Sequence, residues 1–471
     1  MKLGALTGQG ETAEVTDFVI DHRKVARGSV FGAFRGARFN GEDFIADAVK
    51  AGAVAIVAAP EAVVKGAVHI ADANPRRAFA KLATRFYGPF PSTIVAVTGT
   101  NGKTSTVELV RQVWRMAGFQ AASIGTLGIT TAQDQVSTGL TTPDVGTFLS
   151  NLAGLEREGV THVAYEASSH GLDQYRAEGP KIAAAAFTNL SRDHLDYHGT
   201  MDAYLAAKLR LFTEVLSSDG VAVVWADDAA SRRVVDAATA RGIRVISVGT
   251  QGLDLRLVSR TPTALGQTLE IEAGGAVHKV QLPLIGAYQA ANALTAAGLA
   301  IATGGDLKET LGHLARVQGV RGRLERAVIC QSGAPVYVDY AHTPDALEAA
   351  VAALRPHAKG RIILVFGAGG DRDTGKRAEM GAIAVRDADL VIVTDDNPRT
   401  EDAAAIRAMV LDGATGATEI GDRRAAIAEA IRLARAEDIV LVAGKGHEQG
   451  QIVGDRVLPF DDVSVARECA A

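Results

Sequence analysis

Short apolar runs recur along this chain, each closing on a polar or glycine-rich turn, with stretches of helical periodicity between them. Positions 30–34 and 54–58 read as short strands. The clearest early helix opens at Asn74-Pro75 and closes before Gly88, since a capping side chain followed by proline at the first helical position is a start signal. Gly88-Pro89-Phe90-Pro91-Ser92 cannot continue a helix and reads as a linker. It bounds a first domain at 1–91.

From Thr93 the pattern is strand, turn, helix, repeated. Positions 94–97 form a buried strand, and Val107, Val110, Trp114 and Ala117 follow at helical spacing. Further strands are expected at 162–167, 182–188, 221–225 and 243–248, with a helix over 201–212. Such alternation predicts a mostly parallel sheet with helices on both faces. Leu253, Leu255 and Leu257 alternate, while Leu269, Ile271, Gly274-Gly275 and Val277 predict a hairpin. The second domain, 92–319, thus carries an antiparallel appendix. A third, 320–471, has strand runs at 336–339, 362–366, 390–394 and 439–442. The expected fold class is α/β in three domains: a small mixed α/β N-terminal domain, a central phosphate-loop doubly wound sheet, and a C-terminal Rossmann-like domain.

Composition narrows the picture by exclusion. With 49 Lys+Arg against 54 Asp+Glu, a net charge of −5 and 5% aromatics, the chain lacks the basic, stacking surface of a nucleic-acid binder. At 47% hydrophobic and 22% charged it is globular. Two cysteines, Cys330 and Cys469, make no disulfide framework and fit a reducing compartment. The first ten residues hold no apolar targeting core, and the apolar run 51–59 is cut by Pro60 and is too short to span a bilayer. A cytoplasmic protein without membrane insertion is the expectation. Glycine, at 50 of 471 residues, exceeds the usual share of about 7%. Gly99, Gly102, Gly367, Gly369, Gly370, Gly444 and Gly446 fall in strand-end turns, where backbone must approach a ligand closely.

Those turns carry the candidate chemistry. Gly99-Thr100-Asn101-Gly102-Lys103-Thr104-Ser105 follows a strand and opens a helix. Free backbone N–H groups there cradle phosphate, Lys103 neutralises it, and the Thr104 hydroxyl reaches Mg²⁺. The loop is shorter than the common eight-position pattern, because Val97 stands where its first glycine would be. We read it as an ATP site. Glu166, at a strand end before Ser168 and Ser169, is either a Mg²⁺-holding carboxylate or a solvated side chain beside a helix cap. His194 follows another strand and reads as a metal ligand or a structural loop residue. Lys208 stands one helical turn from Tyr204, and a surface lysine remains an open reading. In the third domain Gly367 to Asp373, with Arg372, and Asp396-Asn397-Pro398-Arg399 both follow strong strands. Two arginines suit a ligand bearing carboxylates, and Asp396 and Glu448 suit its ammonium group.

Together these motifs resemble the Mur ligase family across essentially the whole chain. Positions 99–104, 166–172, 189–199, 204–211, Gly322-Arg323-Leu324-Glu325 and Asp339-Tyr340-Ala341-His342-Thr343-Pro344 fall in that family's order. The resemblance implies an ATP-dependent amide ligase that adds meso-2,6-diaminopimelate to a UDP-N-acetylmuramoyl-dipeptide by way of an acyl phosphate, acting as a monomer. It implies a catalytic set of Lys103, Lys208, Glu166 and His194. Lys208 would bear a carbamate derived from carbon dioxide and share a Mg²⁺ ion with Thr104, Glu166 and His194. It further implies nucleotide contacts at 99–105, Asn292, Arg323 and Asp339. Contacts to the UDP substrate fall at Ile20, Asp21, His22, Thr141, Thr142, Ser168, Gln174 and Arg176. The incoming amino acid would meet Arg372, Asp396, Asn397, Pro398, Arg399, Gly444 and Glu448. Arg399 separates this pattern from lysine-adding relatives. Folylpolyglutamate synthetase shares the phosphate loop but has no counterpart to 21–41 or 396–399. A nucleotide-dependent switch protein would leave Lys208, His194 and the arginines without work. The chain departs from the family at His22, Leu140 and Gln289.

Overall fold

The computed structural model describes every residue except Gln9, Ala37, Arg38, 137–140, Arg372 and Asp373. Two compact units emerge, one of 1–256 with 294–310, the other of 257–293 with 311–471.

The first unit opens on four parallel strands in chain order, Asp17–Val19, Ser29–Gly32, Ala55–Ala58 and Val68–Ala71. The helix Pro75–Tyr87 covers them, and Asn74 caps it as its sequence requires, accepting from the Arg77 N–H. Phe79 anchors that helix edge-on against Phe18 and Phe34, at 5.2 and 5.5 Å. The first and fourth strands went unforeseen, being short and only partly apolar.

After the linker the larger sheet of this unit runs in the order Arg244–Gly249, Leu216–Trp225, Ile182–Phe187, Thr93–Thr98, His162–Glu166, Ala121–Gly125. All are parallel, and the antiparallel strands Gly128–Thr130 and Gln135–Val136 extend it. Helices cover both faces, because alternate strand residues point opposite ways. Ala222 and Val224 share a core with Val234 and Ala238 of the helix Ser231–Ala240. Val223 instead meets Gly298 on the other side. Leu253 is 92% exposed and lies outside the strand, which begins at Leu255. The helix expected over 201–212 keeps α geometry only for Met201–Arg210, then widens into a π turn, Leu211–Val215.

The second unit contains the expected hairpin, Gly266–Ala273 with Ala276–Leu282. Its main sheet runs Glu325–Ile329, Pro335–Asp339, Ile439–Ala443, Ile362–Phe366, Leu390–Val393, Thr418–Glu419, with the first pair antiparallel and the rest parallel. Ile362, Leu364 and Phe366 feed one core and Ile363 and Val365 the opposite one. Burial on both faces explains why this strand reads as a continuous apolar run. A second hairpin, Gly450–Val453 with Arg456–Pro459, follows without any strong apolar signal.

Candidate active site

In the first unit the strand Thr93–Thr98 ends in a loop whose Gly99 and Gly102 adopt φ of +144° and +85°. A side chain at Gly99 would collide with the Thr188 hydroxyl, so glycine here serves a close approach as well as a turn. The loop is fastened to the neighbouring strand end. Thr100 N–H donates to the Asn189 carbonyl (2.9 Å), Asn101 N–H to Asn189 Oδ1 (2.8 Å), and the Thr188 hydroxyl to the Asn101 carbonyl (2.6 Å). The helix Lys103–Met116 begins at once, with Thr104 and Ser105 buried in its first turn. Two lysines converge on one carbonyl. Lys103 Nζ donates to the oxygens of Gly99 (2.9 Å) and Thr100 (2.7 Å), and Lys208 Nζ donates to Gly99 O at 2.7 Å.

Lys208 is 1% exposed, so the surface reading fails. Its Nζ lies 4.3 Å from the centroid of the Tyr204 ring. Burial, reinforced by the charge of Lys103, holds its amine well below the ordinary lysine range. Burial likewise pushes the Tyr204 phenol up to about 12, and its hydroxyl sits 3.2 Å from the Thr100 hydroxyl.

Glu166 ends the strand beside the phosphate loop and is buried, not solvated. Its carboxylate accepts from the Thr126 N–H (2.7 Å) and hydroxyl (3.2 Å). Ser168 does cap a helix, accepting from the Gly171 N–H at 3.0 Å. His194 is half-exposed at φ +52°, with its ring 4.8 Å from His170 and 6.1 Å from Tyr204. Among the described residues no three His, Cys, Asp or Glu side chains are grouped closely enough to hold a metal ion.

The residues assigned to the UDP substrate form two groups. Thr142 donates to the Glu166 carbonyl (2.8 Å) and Ser168 Oγ (3.0 Å), and Thr141 and Thr126 hydroxyls are 3.1 Å apart. Arg176 donates to the Thr142 carbonyl (3.2 Å) and Gln174 Oε1 (2.6 Å), and Gln174 in turn donates to the Tyr197 hydroxyl (3.0 Å). Burial lowers the Arg176 guanidinium below the usual arginine range and does the same to Arg76, which also feels the Arg176 charge. Arg76 escaped the sequence reading, since nothing in spacing relates position 76 to 176. Of the second group, Ile20 and Asp21 line a cavity of about 260 Å³ together with Lys24, Tyr87 and Thr147. Asp21 accepts three hydrogen bonds from Arg23, which hold its carboxyl down at about 2. His22 lies flat on Phe44, with ring centroids 4.1 Å apart.

In the second unit Asp339 ends a central strand and is braced by the N–H groups of Leu324 (2.7 Å) and Ala341 (2.9 Å). Burial raises its carboxyl to about 6 against the pull of Arg323. The Arg323 guanidinium lies 4.8 Å from the Tyr340 ring centroid. Gln289 has a structural purpose here. It accepts from Asn292 Nδ2 (3.2 Å) and donates to the Arg323 carbonyl (3.0 Å), tying two assigned nucleotide contacts together.

Three adjacent parallel strands, Ile439–Ala443, Ile362–Phe366 and Leu390–Val393, bring three loops to one sheet edge. Gly370 N–H donates to the Asn397 carbonyl (2.9 Å), and Arg399 Nη1 donates to the Gly370 carbonyl (2.6 Å). Arg399, at φ +53°, thus fastens to a loop carbonyl. Asn397 Nδ2 donates to Glu448 Oε2 at 2.7 Å. Asp396 is buried, and among the described residues its Oδ2 has no hydrogen-bond partner. Pro398 and Gly444 flank this group; a Cβ at Gly444 would stand 2.5 Å from Asp396 Oδ2. Arg372 lies outside the described residues. Sequence reasoning also missed Arg377, which is fully buried. It donates twice to Glu401 at 2.8 Å and once to the Gly369 carbonyl at 3.1 Å.

Three family descriptions match this chain in order: Mur ligase family, catalytic domain, over 14–87; Mur ligase middle domain over 97–300; and Mur ligase, glutamate ligase domain, over 322–446. The fold and these matches define an ATP-dependent ligase that forms amide bonds, built in three α/β domains. The chain belongs to the Mur ligase family. It is 59% identical to the UDP-N-acetylmuramoyl-L-alanyl-D-glutamate–2,6-diaminopimelate ligase of Zymomonas mobilis, over 99% of this chain and 98% of that protein. A solved structure of a ligase bearing the same name is 32% identical, with a TM-score of 0.76 over 100% of this chain and 98% of that one. The Mycobacterium tuberculosis folylpolyglutamate synthase structure shares the fold alone, at 20% identity and a TM-score of 0.64 over 79% of this chain and 91% of that one. Among the described residues, no helix is long and apolar enough to cross a membrane.

Proposed function

We propose that this chain joins meso-2,6-diaminopimelate to the D-Glu side-chain carboxylate of UDP-N-acetylmuramoyl-L-alanyl-D-glutamate, converting ATP to ADP and phosphate. The reaction belongs to peptidoglycan precursor synthesis, and we place the enzyme in the cytoplasm as a monomer. The observation that carries this reading is the phosphate loop, where Lys103 and a buried Lys208 meet at Gly99 O. The name of the Zymomonas relative supplies the substrate pair.

The work divides among 1–91 for the UDP end, 92–319 for ATP and 320–471 for the amino acid. A carboxylate oxygen of the dipeptide attacks the γ-phosphorus, and the bond to the β-bridging oxygen breaks to release ADP. The amine of the amino acid then adds to the acyl carbon, loses a proton, and phosphate departs. Such phosphoryl transfer depends on positioning and charge neutralisation. Lys103 supplies positive charge, and the N–H groups of 99–105 orient the phosphates. Asn292, Arg323 and Asp339 hold the nucleotide. Thr104, Glu166, His194 and Lys208 as its carbamate are assigned to Mg²⁺, which when bound neutralises phosphate charge. Lys208 suits that assignment. An amine held below its ordinary range gives up its proton more readily, and the neutral form is the one that adds carbon dioxide with loss of a proton. Thr141, Thr142, Ser168, Gln174, Arg176, Ile20, Asp21 and His22 bind the UDP substrate. Arg399 and Arg372 meet the far carboxylate of diaminopimelate, while Asp396 and Glu448 meet an ammonium.

The decisive assay incubates protein, ATP and UDP-muramoyl-dipeptide with diaminopimelate or lysine and measures product mass. Product with diaminopimelate is expected. Product only with lysine would reassign the amino acid, and product with neither would refute the ligase.

A further inference from the structure

Lysine is among the residues least often fully buried, and then only when paired, yet Lys445 has no exposed surface. It stands in the loop after the strand Ile439–Ala443, between Gly444 and Glu448. Its ammonium carries three donors and finds three acceptors. They are the Gly450 carbonyl at 2.6 Å, Asn397 Oδ1 at 3.0 Å and Glu448 Oε2 at 3.5 Å. Two of these belong to side chains assigned to the amino-acid pocket. The third opens the hairpin Gly450–Val453 with Arg456–Pro459, which itself grips the same run. Ile452 N–H donates to Asn397 Oδ1 (2.9 Å), Gln451 Nε2 to the Asp396 carbonyl (2.8 Å), and Arg399 N–H to the Ile452 carbonyl (3.0 Å).

This arrangement decides which way the Asn397 amide faces. With its oxygen committed to Lys445 and Ile452, its NH₂ points to Glu448, and their 2.7 Å bond fixes the Glu448 carboxylate. The contacts from Asn397 and Lys445 thus orient the Glu448 carboxylate, as an ammonium-bearing substrate requires.

We propose that Lys445 is the positioning residue of the amino-acid pocket: from beneath, it locks Asn397 and Glu448 into the geometry that receives the incoming diamino acid, without touching that substrate itself. The proposal rests on the pocket assignment made above. It predicts a selective defect. Lys445→Met, similar in length but without donors or charge, raises the KM for diaminopimelate at least tenfold and leaves the KM values for ATP and UDP-muramoyl-dipeptide within twofold. Lys445→Gln, which restores an amide donor, falls between it and the wild type. In an Asn397→Ala background, Lys445→Met adds less than a threefold further rise, because one of the side chains through which it acts is gone.

Steady-state kinetics with each substrate varied in turn, alongside thermal melting of each variant, tests this. An unchanged diaminopimelate KM in folded Lys445→Met overturns the proposal, as does an equal rise in all three KM values or full additivity with Asn397→Ala. Should Lys445→Met fail to fold, Lys445→Gln is held to the same outcomes. Failure of both to fold overturns the proposal too, since Lys445 would then serve the fold and not the pocket. A wild-type enzyme that makes no product with diaminopimelate refutes the pocket assignment instead, and the two failures are thereby distinguished.

Discussion

Lys208 shows how much one buried side chain can decide. A lysine one turn from a tyrosine is usually a solvated helix residue, yet this one is enclosed and bonded to the phosphate loop. Removing it separates function from stability. Lys208→Ala is expected to lower kcat at least a thousandfold and to recover part of it in short-chain carboxylates, which replace the proposed carbamate; product mass over time checks this. A wild-type rate would remove Lys208 from catalysis. The depressed amine also predicts a pH dependence. The folded chain releases the Lys208 proton at lower pH than the unfolded chain does, so between the lowered and the ordinary pKa folding is favoured increasingly as pH rises. In buffer free of carbon dioxide, stability should climb as pH rises toward the ordinary lysine value of about 10, by at most about 1.4 kcal/mol per unit from this group. Lys208→Met should flatten that slope in urea titrations across pH. An identical slope would show that the amine is charged in the fold.

At the scale of elements, the strand ends hold the chemistry, and backbone shape is as specific there as side-chain identity. Gly444 sits at φ +116°, and a Cβ would press on Asp396 Oδ2. Gly444→Ala should therefore raise the diaminopimelate KM at least tenfold and leave that for ATP nearly unchanged, as initial rates will show. The same loops are held from behind. Arg423 and Asp462, both without exposed surface, pair through two 2.7 Å hydrogen bonds, and Arg423 also donates to the Ala443 carbonyl at 3.0 Å. Asp462→Ala would leave a guanidinium buried without its counter-charge, a change that typically costs about 3–5 kcal/mol. A drop of that size in urea unfolding is the expected result. How much of this was legible follows from the same physics. Apolar runs with period-two or helical spacing marked most sheet strands and the helix at Asn74-Pro75, because burial on both faces leaves a local signature. Strand-end motifs pointed to Lys103, Glu166 and Asn397 for the same local reason. The hairpin at 450–459 was invisible, as its strands are largely exposed. Lys445, Arg377 and Arg76 were invisible for a different reason. Each has at least one partner distant in sequence, and a lone basic residue reads the same in water or in a core.

For the molecule as a whole, the proposed division of three tasks among three domains implies that damage should stay confined to one substrate at a time. Asp21 is fixed by Arg23 in the first unit, and Arg399 is fixed by Gly370 and Ile452 in the second. Among the described residues they share no partner, and free energies of independent sites add to within about 0.5 kcal/mol. Asp21→Ala is expected to raise the KM for UDP-muramoyl-dipeptide alone, and Arg399→Ala the KM for diaminopimelate alone, each about tenfold or more. Arg399→Ala should also narrow the preference for diaminopimelate over lysine, since the carboxylate that distinguishes them loses its guanidinium. The double variant should show both defects unchanged in size, with kcat/KM losses that multiply to within about twofold. The measurement is a full kinetic grid on wild type, both single variants and the double. A shortfall or excess beyond that margin would mean that binding of one substrate is energetically coupled to binding of the other. In that case assigning one task to each domain would be wrong.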